Sequence, residues 1–181
     1  WQPTEQLALA LAAFEIEREN GVAVDPSNPE RSVLTGTKTR GWELQLDGEL
    51  TSWWSVNAGY SHLDGRELGR FVNGQSANRT LAQLPEDMVS LWSRFTVNER
   101  FGFGVGVIHQ AEQFASLSNA VTLPDFTRVD LAAFYEVSDK LSLQLNIENL
   151  LDTDYFPAAH NDNNITTGEP RYGRLALQYR F

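Results

Sequence analysis

Apolar and polar residues alternate with period two along almost the whole chain, and this restricts the fold more than any other feature. Successive side chains of a β-strand point to opposite faces, so the pattern describes strands with one apolar face. The final segment carries Leu175, Leu177, Tyr179 and Phe181 on one face and Arg174, Gln178 and Arg180 on the other. Leu141, Leu143, Leu145 and Ile147 oppose Ser142, Gln144, Asn146 and Glu148. Val129, Leu131, Ala133 and Tyr135 oppose Arg128, Asp130, Ala132 and Phe134, and Phe103, Val105 and Val107 alternate with Gly102, Gly104 and Gly106. Further faces are Val89, Leu91, Phe95 and Val97 (broken by Ser93), Trp54 to Tyr60, and Trp42, Leu44 and Leu46 against Glu43, Gln45 and Asp47. The opening segment has Leu7, Leu9 and Leu11, but Phe14 and Ile16 stand in the other phase, which leaves its facing open beyond Ala12.

These segments read as eight strands of about ten residues, the length a tilted membrane-spanning strand needs. Their connections alternate in length. Short ones fall at Leu50–Ser52, Asn98–Arg100 and Ser138–Lys140, and long polar ones at Arg18–Lys38, His62–Glu86, Ala111–Asp125 and Phe156–Glu169. Short periplasmic turns with long extracellular loops are the pattern of an outer-membrane barrel. A soluble β-sandwich alternates too, but its strands are usually five or six residues long. Aromatic residues gather at the strand ends (Trp53, Trp54, Tyr60, Trp92, Phe101, Tyr135, Tyr155, Phe156, Tyr172, Tyr179 and Phe181), as interfacial girdles require, with some left to face the lumen or loops. The expected fold is therefore all-β, built from antiparallel transmembrane β-barrel strands.

Composition removes the competing classes. The longest apolar run, Leu7–Phe14, is far short of the roughly 20 residues of a spanning helix. With 14 Lys plus Arg against 24 Asp plus Glu, the net charge of −10 argues against nucleic-acid binding. No cysteine is present, which excludes disulfides, thiolate metal sites and cysteine nucleophiles. The start of the chain has no secretory-signal pattern, so an export signal is expected to have been removed or to lie upstream.

Asn146-Ile147-Glu148-Asn149-Leu150-Leu151-Asp152, followed by Tyr155, resembles the penultimate-strand motif of TonB-dependent outer-membrane receptors. The ending Pro170-Arg171-Tyr172-Gly173-Arg174-Leu175 through Phe181 is similar to their last strand. Leu123-Pro124 with Thr127-Arg128-Val129-Asp130, Thr39-Arg40-Gly41-Trp42-Glu43, Ala58-Gly59-Tyr60-Ser61 and Trp1-Gln2-Pro3-Thr4 fit the same family. Together they most resemble siderophore receptors, in particular the ferric-hydroxamate branch.

The resemblance implies a 22-stranded barrel with a plugged lumen. It also implies TonB-dependent uptake of ferric siderophores across the bacterial outer membrane, without enzymatic chemistry or a cofactor; iron enters only as part of the ligand. Residues 1–181 are then expected to be C-terminal barrel strands without the plug. The implied partners are a ferric siderophore, the TonB complex through the absent N-terminal region, the barrel-assembly machinery and outer-membrane lipid. The alternative is an autonomous, self-closing eight-stranded barrel with a structural or adhesion role, eight strands being the smallest common membrane barrel.

Receptors of this kind bind iron chelates through aromatic and polar residues on loops and upper lumen walls. By loop position the candidates are Phe71, Phe114, Tyr155, Phe156, His160 and Tyr172, although each fits an interfacial anchor or a loop-packing residue better than a ligand contact. Similar barrels carry a terminal aromatic strand as an assembly signal, which maps to Leu175, Leu177, Tyr179 and Phe181. Gly102, Gly104 and Gly106 lack the spacing and the following helix of a dinucleotide fingerprint, so a lumen-facing structural role is expected. Asp152 and Asp154 lack the glycine of a calcium loop. His160 through Asn164 read as a solvated loop tip rather than a metal site. Asn78-Arg79-Thr80 and Asn164-Ile165-Thr166 match glycosylation acceptors by chance.

Overall fold

A computed structural model describes residues 1–25, 28–69 and 78–181. Its strands are β1 (Leu7–Asp25), β2 (Asn28–Thr51), β3 (Trp54–Leu68), β4 (Asp87–Thr96), β5 (Phe101–Gln110), β6 (Gln113–Phe114), β7 (Thr122–Leu123), β8 (Phe126–Ser138), β9 (Leu141–Glu148), β10 (Ala158–Asn161), β11 (Asn164–Thr166) and β12 (Tyr172–Tyr179). Eight of them form one antiparallel sheet in the order β1-β2-β3-β4-β5-β8-β9-β12, while β6–β7 and β10–β11 are small hairpins inside connections. The eight alternating segments are the eight strands of this sheet. Among the described residues β1 and β12 each pair on one side only, so the sheet is open and the self-closing eight-stranded barrel does not form.

Register turns the alternation into two continuous faces. Leu9, Leu46, Ala58, Leu91, Val107 and Val129 align across six strands, and Phe103, Ala133, Leu145 and Leu175 across four. Many side chains of this face are bare: Leu11 is 72% exposed and Leu175 68%. An apolar sheet face of this extent is unfavourable in water and at home in hydrocarbon. The opposite face carries Glu43, Gln45, Asn57, Ser61 and Ser90 around a concave groove of about 550 Å³, which marks it as the inner side. Phe14 and Ile16 fall on that inner face, opposite Gly41 and Thr39, which resolves the phase change in the first strand.

The glycines of β5 have a defined use. Trp92 pairs with Gly106 on the inner face and lies across the strand. A Cβ at Gly104 would stand 2.4 Å from Trp92 Cζ2, and one at Gly106 would stand 2.9 Å from its Cε3. Arg94 also reaches over β5, its guanidinium 4.4 Å from the centre of the Phe134 ring. The smooth glycine surface lets large β4 side chains reach toward β8. Trp92, placed by sequence among the girdle aromatics, is thus a lumen residue.

Other aromatics do form outward rows. Trp53, Trp54, Phe95 and Phe103 stack in sequence at the end with short turns, with centroids 6.2, 5.8 and 4.9 Å apart. At the other end Trp42 lies 4.8 Å from Tyr60. The short turns are closed by side-chain acceptors; Asn98 Oδ1, for example, accepts from the amides of Arg100 and Phe101, both at 2.9 Å.

The expected loop at Arg18–Lys38 is instead largely strand. β1 and β2 stay paired to Asp25 and Asn28, with a register shift between Arg18 and Gly21 at the left-handed Asn20 (φ 58°). Above Trp42 the hairpin leaves the apolar band, so its outward positions become charged and the period-two hydropathy signal vanishes while the backbone ladder continues. Lys38 Nζ lies 2.7 Å from Glu15 and 3.7 Å from Glu17, and Arg40 Nε donates to Glu15 at 2.5 Å. Hydrogen bonds from Lys38 and then Arg40 hold the Glu15 carboxyl below the usual glutamate range.

Candidate functional site

The three long connections converge at the end of the sheet above β3, β8 and β9. The organising residue is Asn149, immediately after β9. Its backbone takes the left-handed conformation (φ 51°), which asparagine tolerates well. Its amide donates to Asp130 Oδ1 at 2.9 Å, tying the turn to β8. Its side chain is 1% exposed and fully used. Nδ2 donates to the carbonyls of Thr153 (2.9 Å) and Glu169 (3.0 Å), and Oδ1 accepts from the Thr153 amide at 2.9 Å. Asp152, also left-handed, accepts from the Arg171 amide at 2.8 Å and so joins the two ends of the connection.

Tyr155 completes this arrangement. It is buried, its ring lies 4.6 Å from Phe126, and Arg128 Nη1 donates to its hydroxyl at 3.2 Å. Arg128 Nη2 in turn donates to Asp130 Oδ2 at 2.8 Å. A Cβ at Gly168 would stand 2.2 Å from the Tyr155 ring, so the return of the connection passes over the tyrosine face only as glycine. The Asn-Leu-Leu-Asp…Tyr motif is therefore a self-satisfied clamp that shapes the last connection.

A small apolar core lies beside the clamp. Ala115, Leu123 and Ala159 are buried together, with Val121 and Phe156 packed against them. Phe114 is half-buried in β6 and lines a cleft of about 200 Å³ with Leu63, Gly65, Leu84, Gln113 and Thr122. Of the ligand candidates, then, Phe114, Tyr155 and Phe156 are brought into one loop assembly. His160 is exposed on the β10–β11 hairpin, and Tyr172 starts β12 on the inner face opposite Glu148. Phe71 lies outside the described residues. Asp162 Oδ2 accepts from Ser118 Oγ at 2.7 Å and serves a loop contact. Sequence reading missed Gln83, Gln113, Asn119 and the Arg128–Asp130 pair. Strand phase placed the last two on the inner face, but nothing in the sequence indicated that they would meet Tyr155 and Asn149.

An apolar outward band between aromatic rows, a polar concave face and layered loops at one end define the wall of a membrane β-barrel. Residues 1–150 match the family TonB dependent receptor-like, beta-barrel. The chain belongs to the TonB-dependent receptor β-barrel family. It is 30% identical, over 97% of its length, to the probable TonB-dependent siderophore receptor PiuA of Acinetobacter baumannii. It is 28% identical over its whole length to the catecholate siderophore receptor Fiu of Escherichia coli. The PiuA crystal structure superposes with a TM-score of 0.85 over 96% of this chain and 26% of that one, at 29% identity. The ferripyoverdine receptor of the outer membrane of Pseudomonas aeruginosa superposes with a TM-score of 0.77, at 26% identity. The chain is an outer-membrane β-barrel protein, and it spans about a quarter of the length of these curated relatives.

Proposed function

We propose that residues 1–181 are C-terminal strands of the barrel wall of a longer receptor that takes up ferric siderophores in a TonB-dependent way. The observation that carries this reading is the superposition of nearly the whole chain on a siderophore receptor. The open sheet supports the same reading. In lipid an unpaired strand edge exposes backbone groups that nothing else satisfies, so β1 and β12 need further strands beside them. A plug and a TonB contact would lie in those further segments. Phe114, Tyr155, Phe156, His160 and Tyr172 remain our candidate ligand contacts with Phe71, and Tyr155 would act chiefly by shaping its loop. Leu175, Leu177, Tyr179 and Phe181 would form the signal read by the barrel-assembly machinery.

Transport of this kind involves no covalent chemistry on the ligand and no cofactor. The receptor would work by differential affinity between plug states. Relatives are named for catecholate siderophores, ferripyoverdine and metal-pseudopaline, so chelate classes beyond the hydroxamates belong in the test. Deleting the gene should abolish accumulation of radioactive iron from at least one of ferric hydroxamate, catecholate or pyoverdine chelates in iron-starved cells. Removing TonB should do the same. Uptake of all three chelates at wild-type rates in the deletion strain would overturn the proposal.

A further inference from the structure

Three connections meet above the sheet: 78–86 between β3 and β4, 111–125 between β5 and β8, and 149–171 between β9 and β12. Each is anchored to the sheet by its own backbone. The Glu67 amide donates to the Arg79 carbonyl at 2.7 Å, and the Leu81 amide donates to the Gly65 carbonyl at 3.0 Å. The Leu150 amide donates to the Val129 carbonyl at 2.7 Å.

The connections are also bonded to one another. Asn119, left-handed at φ 55°, makes a two-way bridge to Thr80: its Oδ1 accepts from the Thr80 amide at 3.0 Å and its Nδ2 donates to the Thr80 carbonyl at 2.9 Å. Beside it the Gln83 amide donates to the Phe114 carbonyl at 2.9 Å. The second and third connections are joined by Gln113 Nε2 donating to the Pro157 carbonyl at 3.0 Å and by the Ser118–Asp162 bond. Their apolar contact is Ala115 and Leu123 on Ala159. Gln83 Oε1 accepts from the Ala159 amide at 3.4 Å, closing the triangle between the first and third.

We infer that Asn119 keys the three connections into one mechanical unit, so that they open together rather than as independent loops. Backbone groups buried in such a cap must be paired, and here the Thr80, Gln83, Phe114, Pro157 and Ala159 backbones each find a partner in a neighbouring connection. Loss of the bridge at one corner therefore weakens the other two. If the receptor reading holds, a chelate touching any one of the three connections would be felt by all of them. That consequence rests on the proposed function, whereas the coupling itself does not.

Amide hydrogen exchange on the protein extracted from its own outer membrane tests the coupling without any ligand. Asn119→Gly keeps the left-handed backbone open to the residue and removes the side-chain bridge to Thr80, together with the 3.3 Å bond from Nδ2 to the Ser116 carbonyl. Exchange should rise by roughly fivefold or more in the peptide holding Thr80 and Leu81, and also in the peptide holding Ala158–Asp162. A rise confined to residues 113–123, or to those and the Thr80–Leu81 peptide, would overturn the inference. Should Asn119→Gly fail to insert, Ser118→Ala, which cuts the bond to Asp162 along with the local bonds to Ser116 Oγ and the Ala120 amide, is read in the same way. It should raise exchange in both the first and the third connection, and a change in the third alone would overturn the inference. Coupled exchange in a protein that transports none of the three chelates would retain the inference and defeat the siderophore reading.

Discussion

Replacing Asn149 by alanine should open the last connection while leaving the sheet intact. The side chain is buried and makes three hydrogen bonds, to the Thr153 carbonyl, the Glu169 carbonyl and the Thr153 amide. At about 1 kcal/mol net for each bond, their loss costs about 3 kcal/mol. Alanine must in addition hold a positive φ, which costs about 1 kcal/mol more. The local opening free energy of residues 149–171 should thus fall by about 4 kcal/mol, on the order of a thousandfold in the opening constant. Asn149→Gly separates the two contributions, because glycine loses the bonds without the backbone strain and should cost about 3 kcal/mol. The assay is exchange of the Thr153, Gly168 and Arg171 amides, with heat-modifiable migration on gels as the control for an intact barrel. If both variants kept those amides within twofold of wild-type exchange, the clamp would not hold the connection, and the assignment of the motif would be wrong.

Gly104→Val should lower the amount of heat-modifiable, membrane-inserted protein several-fold, because its Cβ meets the Trp92 ring at 2.4 Å. Combining it with Trp92→Ala should restore much of the loss, and failure of that rescue would show that the glycine serves something other than the tryptophan. Deleting Phe181 should reduce outer-membrane levels far more than Tyr172→Ala, as quantitative blotting of membrane fractions would record; equal, small effects would remove the assembly-signal assignment. Glu15 has its carboxyl pKa depressed in the folded hairpin, so its contribution is present above the ordinary glutamate range and is lost as pH falls through the lowered value. A nitroxide at Ser32 should therefore become more mobile on acidification, and Glu15→Gln should flatten that response.

Period-two hydropathy was enough to define the spanning part of every sheet strand, because lipid imposes a single requirement on the outward residue at each pleat. It also placed Gly102, Gly104 and Gly106 on the inner face. The same signal failed for Arg18–Lys38, where the β1–β2 hairpin rises above the apolar band and water accepts any polar side chain on either face. Backbone pairing continues there, but it leaves no mark in hydropathy. The motif ending in Tyr155 was visible as a pattern, yet its role depended on Asn149, Asp130 and Arg128 meeting across two strands and a returning loop. Trp92 likewise read as one more strand-end aromatic until register set it over the glycines of its neighbour. Asn119 and Gln83 carried no sequence signal at all, since their bonds run to backbone groups of other connections. Facing is a local property, repeated every second residue, and the chain encodes it position by position. Which loop atoms meet is decided only when the sheet has set its strands side by side, because the partners lie as far apart in sequence as Gln83 and Ala159.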